Sequence, residues 1–500
     1  MITIEPGNAL EEPASNYPVA RGGINLSAVY PIPRVLVAAP QGRSGKTTIT
    51  VGLIAALTAG GLKVQPFKKG PDFIDPSWLT RVAGHTCRNL DSYLMERQAI
   101  RSAFIRHARN SDMAIIEGAM GLFDGVDIAG SGSAAEIAKI VQAPVLLVIN
   151  CTRMTRSVAA MVNGFANFDP EVKIGGVILN MVARSRHEQT LRASIKEYCD
   201  VPVLGAMPKG KQFVIPDRHL GLVPAGEDER LSAAIREIGE AAANYLDIEG
   251  ILKVARDWPD LVEESPVTEA AEIRWLSKEQ VPSQKGPVIG VIKDRSFSFY
   301  YPENLEALVE AGASLVAVSA IADQQLPEVD GLYIGGGFPE VLARELEANQ
   351  SFRSHLRRRI EEGLPVYAEC GGLMYLGRRI HWSDQSYEMV GVLPLEVEML
   401  KKPQGHGYMH LEVLPGTPYY SGKKLVRGHE FHHSRVVNLD EDCNFAFRVR
   451  RGHGINGEYD GLHYKNVVAL YNHIHALVEK DWAKEFVHMA LRWKQDHKKT

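Results

Sequence analysis

Residues 34–61 read RVLVAAPQGRSGKTTITVGLIAALTAGG. An apolar run (RVLVAAP), a Gly/Ser turn (QGRSG) and a helical run (KTTITVGLIAALTAGG) follow one another directly. In that setting, backbone N–H groups of the turn point at phosphates, and the helix N-terminus adds its positive end. Lys46 would neutralise the β- and γ-phosphates, and the Thr47 hydroxyl would bind Mg²⁺. Gly42, Ser44, Gly45 and Thr48 complete the expected ATP contact. Pro40 stands where the usual phosphate-loop spacing has glycine, and Gly42 supplies the flexibility instead.

Working outward, short apolar runs recur at Asp112 (DMAIIEG), Ala143 (APVLLVIN), Ile174 (IGGVILN) and Val201 (VPVLGAMP), with helical stretches between them. Runs buried on both faces and separated by helices predict a parallel sheet in an α/β domain. A second α/β pattern opens at PVIGVIKD (Pro287) and becomes richer in strands after about residue 390. The expected division is a flexible tail over 1–32, a phosphate-loop domain over 33–225 and a helical end with linker over 226–285. A second domain over 286–485 and a C-terminal tail over 486–500 follow.

Composition narrows the classes. With 45% apolar and 23% charged residues over 500, the chain can bury two or three cores. The formal net charge of −4 gives no global attraction to nucleic acid or anionic membrane. No apolar run is long enough for a membrane span, and the acidic, Pro-rich N-terminus lacks signal-peptide character. Five scattered cysteines without a CxxC pair suit reduced thiols in a cytoplasm.

Acidic residues could complete a metal site. KKGPDFIDP (68–76) offers Asp72 and Asp75; IIEGAMGLFDG (115–125) offers Glu117 at a strand end. Mg²⁺ needs few protein carboxylates beside phosphate oxygens. Turn and N-cap chemistry is the alternative use of these acids.

YAECGGLMYL (367–376) sets Cys370 between a strand and a Gly-led helix. Such a corner exposes a nucleophile at a sheet edge and offers backbone N–H groups to an oxyanion. The helix N-terminus is expected to lower the thiol pKa. YIGGGFPE (333–340) offers further N–H donors. The thiol needs a base, and YNHIHALVE (471–479) offers His473 and His475; on a strand both would face the same way, and either could serve. GHEFHHS (428–434) contains HExxH, but nothing around it is helical, and an extended strand holds i and i+4 too far apart for one zinc.

These motifs occur in one order together with PDRHLGLV (216–223) and FSFYYPENLEAL (297–308). The chain thereby resembles the cobyrinic acid a,c-diamide synthases over roughly residues 33–480. The resemblance implies two α/β domains with largely parallel sheets, an N-terminal P-loop NTPase-like one and a C-terminal class I glutamine amidotransferase-like one. It implies ATP and glutamine as cosubstrates, Mg²⁺, and a small tetrapyrrole whose a and c acetates become amides in cobalamin biosynthesis. It also implies no nucleic-acid or membrane partner and allows for a homodimer.

Carried onto this chain, Cys370 is the glutaminase nucleophile and His473 its base. Gly336, Gly337 and Gly371 form the oxyanion hole, and Asn180 stands where related synthetases read adenine. Class I amidotransferases usually carry Glu two residues after the histidine; His475 stands there. Sirohaem or nickel-sirohydrochlorin are alternative acceptors. A regulatory P-loop ATPase with an inactive second domain is the alternative of another class.

Overall fold

The computed structural model describes residues 27–210 and 228–497. The PDRHLGLV motif and most of the expected N-terminal tail lie outside them. Among the described residues, seven parallel strands form the first sheet. Its order is Arg88–Leu90, Val64–Lys69, Met113–Glu117, Arg34–Ala38, Val145–Asn150, Ile174–Val182 and Val203–Pro208. Val35, Leu36, Ile115, Leu146 and Leu147 are fully buried. That is why these strands read as continuous apolar runs rather than alternating ones.

The helix Lys46–Ala59 follows the central strand and buries Ile49, Leu53 and Ile54. Ile238 and Ala242, from the helix Asp228–Tyr245, and Leu246 just after it complete the same core. The helical stretch after 226 is thus part of the first domain's packing, because its apolar face has no other cover. Two further boundaries differ from expectation. Ala28–Tyr30, inside the expected tail, is a strand paired antiparallel with Leu261–Glu263. The helix Trp482–His497 replaces the expected C-terminal tail. It buries Phe486, Val487 and Ala490, and Lys494 Nζ donates to Gly286 O (2.6 Å) and Asp330 Oδ2 (2.9 Å).

The second sheet is mixed. Trp275–Leu276, Ser314–Val318, Val288–Ile292, Gly331–Ile334, Val366–Glu369 and Val467–Leu470 run parallel. Tyr459–Tyr464, Phe445–Arg451, Gly405–Val413 and Leu425–His432 continue it antiparallel. The antiparallel end carries the HEFH segment to the seam between the domains. Among the described residues, no helix is long and apolar enough to cross a membrane.

Strand Arg88–Leu90, at the first sheet's edge, makes the seam. Arg88 pairs with Glu303 (3.2 Å) and Glu306 (2.6 Å) on the helix Pro302–Glu310 of the second domain. All three side chains are nearly buried, so the ion pairs act in a weakly screened setting.

Candidate functional site

The phosphate loop turns where Gly45 takes φ +90°, a conformation a side chain would strain. A Cβ there would also lie 2.2 Å from Asn180 Nδ2. Asn180 Nδ2 donates to Ser44 O (2.9 Å), and its Oδ1 accepts from Met181 N (2.9 Å). Its amide therefore braces the loop from below, a different task from the adenine contact the resemblance implies. Lys46 is nearly buried and donates to Gln41 O (3.3 Å) and Met120 O (2.6 Å). It thus bridges the phosphate loop and the Gly-rich loop after Glu117. Burial and neighbouring Lys68 both lower its pKa.

Thr47 Oγ1 donates to Glu117 Oε1 (2.6 Å). Burial pushes the Glu117 carboxyl up to about 7. Its Oε2 is buried and has no hydrogen-bond partner among the described residues. A carboxyl oxygen kept dry and unbonded beside a threonine hydroxyl suits a hard divalent cation, whose charge would favour the ionised form, so Thr47 and Glu117 fit Mg²⁺. Asp72 and Asp75 differ from the expected ligand set. Lys68, which sequence reasoning passed over, stands among the acids, bonded to Asp75 and 3.1 Å from Glu117 and 3.8 Å from Asp72. Asp72 Oδ1 also accepts from Ile74 N (2.8 Å) and Asp75 N (3.2 Å) and so caps the helix Ile74–Ala83.

In the second domain, strand Val366–Glu369 ends at Cys370, whose φ of 49° is strained for a residue with a side chain. The helix Gly371–Leu376 follows. The thiol is 6% exposed, and burial, then Glu340, raise its pKa. The expected lowering by the helix end is outweighed, since one short helix offsets little of the cost of burying a thiolate. Burial also holds Glu340 up to about 7.

The glycines converge. A Cβ on Gly371 would meet Gly337 N at 3.2 Å, and one on Gly336 would meet His473 Cε1 at 2.5 Å. Gly371 therefore packs on Gly337, and Gly336 on the His473 ring, next to Cys370.

His473 and His475 do not share a strand face. The strand ends at Leu470, and His473 forms an isolated antiparallel bridge with His429. His473 Nδ1 lies 3.3 Å from Glu369 Oε2, while Oε1 accepts from Ile474 N (3.2 Å). Tyr333 Oη also donates to Oε2 (3.1 Å). Glu369, the residue before Cys370, thus stands behind the histidine where the expected downstream Glu is missing. The motif AECGG displayed it, but only the pairing of the two strands shows what it meets. His475 turns elsewhere: its Nε2 is 3.5 Å from Glu303 Oε2, and its ring packs on Tyr301 at 4.5 Å. Of the two, the structure sets only His473 beside the Cys370 loop.

The HEFHH segment is extended. Glu430 accepts from His453 N (2.6 Å) and Gly454 N (2.9 Å), which anchors a turn. His429 stacks on His473, centroids 5.1 Å apart. No group of three or more His, Cys, Asp or Glu among the described residues is arranged to hold a metal ion.

The two half-sites touch. Phe73, between Asp72 and Asp75, packs on Phe299 (5.1 Å), Tyr301 (4.6 Å), His429 (5.7 Å) and His473 (5.1 Å). Asn89 Nδ2 steadies that loop by donating to Gly70 O and Asp72 O, both at 2.8 Å.

Comparison with known proteins agrees with this division. A CobQ/CobB/MinD/ParA nucleotide binding domain matches residues 35–222, and a CobB/CobQ-like glutamine amidotransferase domain matches 288–481. The chain is 45% identical over 455 residues to a cobyrinate a,c-diamide synthase of Magnetococcus marinus, covering 91% of this chain and 96% of that protein. It is 43% identical to one from Archaeoglobus fulgidus (93% and 98% covered) and 40% identical to one from Listeria monocytogenes (88% and 96%). A phosphate loop and a thiol corner in one chain, in the same order and over nearly the full length of these relatives, admit one placement: the chain belongs to the cobyrinate a,c-diamide synthase family.

Proposed function

We propose that this enzyme converts the a and c carboxylates of cobyrinate to amides, using ATP and the amide nitrogen of glutamine. The observation that carries the reading is the Phe73 contact: the acid loop beside the phosphate site packs directly on the histidine beside the thiol. Two unrelated chemistries have no need of that contact, whereas two halves of one reaction do.

His473 takes the Cys370 proton, and the sulfur attacks the glutamine amide carbonyl. The N–H groups of Gly336, Gly337 and Gly371 hold the oxyanion, and the protonated histidine releases ammonia. Water then cleaves the thioester to glutamate. Burial raises the thiol pKa, so the sulfur depends on the base to shed its proton.

In the first domain, an acceptor carboxylate oxygen attacks the γ-phosphorus and ADP leaves. Ammonia displaces phosphate from the acyl phosphate, so each amide consumes one ATP and one glutamine. Lys46 and Lys68 neutralise charge on the transferring group. Thr47 and Glu117 would hold Mg²⁺, which supplies charge neutralisation on the phosphates when bound.

The test is direct. Incubation of the full chain with cobyrinate, ATP and glutamine should give a diamide by mass spectrometry, with glutamate and ADP in equal amounts. Absence of amide product with cobyrinate would overturn the reading.

A further inference from the structure

Lys69 and Lys68 are neighbours on one strand, so they face opposite sides of the sheet. Lys68 is held by acids. Lys69 is 8% exposed, and none of the described residues bonds its ammonium or pairs with it. Asp91 and Glu136 are the acids that face it, but both are engaged. Asp91 accepts from Tyr93 N (2.9 Å), Leu94 N (3.1 Å) and Tyr408 Oη (3.0 Å). Glu136 accepts from Ser92 Oγ (2.6 Å) and Gly132 N (2.8 Å). A buried ammonium without a partner is strongly disfavoured unless an anion joins it.

The seam beside Lys69 is aromatic and cationic. The Tyr93 and Tyr408 rings stack at 4.2 Å, and His410 lies 6.1 Å from Tyr93. The Arg451 guanidinium sits 5.1 Å over the Tyr93 ring and donates to its hydroxyl. His410 is opposed by Arg427 on one neighbouring strand and by Arg451 on the other. Opposed residues share a face of the sheet, so three basic residues form a row. Tyr408, two residues before His410, shares that face and is opposed by His429, whose ring stacks on His473. The place therefore adjoins the phosphate cations through Lys69 and the thiol half-site through His429.

We infer that Lys69, Arg427, Arg451 and His410, around the Tyr93–Tyr408 pair, form the acceptor site and take the peripheral carboxylates of a flat tetrapyrrole. This rests on the proposed function and deepens it. A macrocycle fringed with carboxylates offers apolar faces within an anionic rim. The seam sets a tyrosine pair among ammonium and guanidinium groups, on a chain whose formal net charge is −4. Lys69 adjoins Lys68 along the strand, so the site lies one residue from the phosphate cations, across the sheet edge.

The test titrates cobyrinate into the full-length wild type and into K69M, R427M and R451M, following the corrin absorption band, and measures KM for each substrate. K69M should raise the Kd and KM for cobyrinate about tenfold or more. Each arginine variant should raise them about threefold or more. KM for ATP should stay within about twofold in all three. The arginines lie on the seam's accessible side, so R427M and R451M serve if K69M does not fold. Wild-type affinity in K69M, or in both arginine variants, overturns the inference while leaving the amidation reading intact. A wild type that neither binds nor amidates cobyrinate overturns both.

Discussion

The ring of Phe73 lies 5.1 Å from the ring of His473, although one belongs to the phosphate-site loop and the other to the thiol pocket. Between them runs no linker, only packing. Asp72 and Asp75 flank Phe73 and both approach Lys68, so a change of charge at the phosphates reaches His473 through a single loop. In F73A each half-reaction should survive, but glutamate should form faster than amide. The ratio of the two, near one in the wild type, should rise about threefold to thirtyfold, the usual range for a lost coupling contact. Parallel assays of glutamate and diamide check this; an unchanged ratio would mean the contact only fills space.

Glu369 orients the histidine. Its two oxygens accept from Ile474 N and Tyr333 Oη and lie beside His473 Nδ1, which leaves Nε2 free for the thiol. E369Q keeps the shape but places an N–H where an acceptor is needed. Glutamine-dependent turnover should fall by about 10²–10⁴-fold, as for other base-orienting acids. Amidation from ammonium salts should be retained, and E369D should recover part of the loss. A glutamine-dependent rate within threefold of wild type in E369Q would remove the residue from the relay.

Much of this was legible in the sequence. The strand–loop–helix at 34–61, the acid at Glu117 and the corner at Cys370 are local patterns, and local patterns survive folding. What the sequence concealed is contact between distant segments. Glu369 was in plain view beside Cys370, but its meeting with His473 depends on two strands 100 residues apart pairing in register. The role of Asn180 depends likewise on a strand passing under the loop at Ser44. His475 was misplaced because the VVAL strand was extended by five residues too many; the chain leaves the sheet at Leu470. Burial, invisible in a single sequence, reversed the expected shift of the Cys370 thiol.

Separate half-reactions require separable defects. C370A should abolish glutamine-dependent amidation, yet keep amidation from ammonium salts, because ammonia can still reach an acyl phosphate. K46A should abolish amidation from either nitrogen source, since the γ-phosphoryl loses its counter-charge; a loss of about 10³-fold or more is expected. Failure of C370A with ammonium salts, at wild-type folding by circular dichroism, would contradict the division of labour.

The seam should carry a pH signature. Burial and the nearby Arg88 hold His107 down at about 4. The unfolded chain titrates it near 6.5. Between those values the unfolded state binds more protons, so stability rises with pH across the window and is lost as pH falls through it. The full loss is about 3 kcal/mol for a shift of this size. Glu117 and Glu340, held up near 7, act in the opposite direction, because the native state is the better proton acceptor there. Only a difference isolates the histidine. Glu303, held far below its usual range despite burial, chiefly by Arg88, adds loss only below its unfolded value near 4.5. H107Q should therefore gain on the wild type as pH falls from 7 to 4.5, read as a narrowing or reversal of the gap in denaturation midpoints. A gap that stays constant across that range would show that His107 does not remain neutral in the fold.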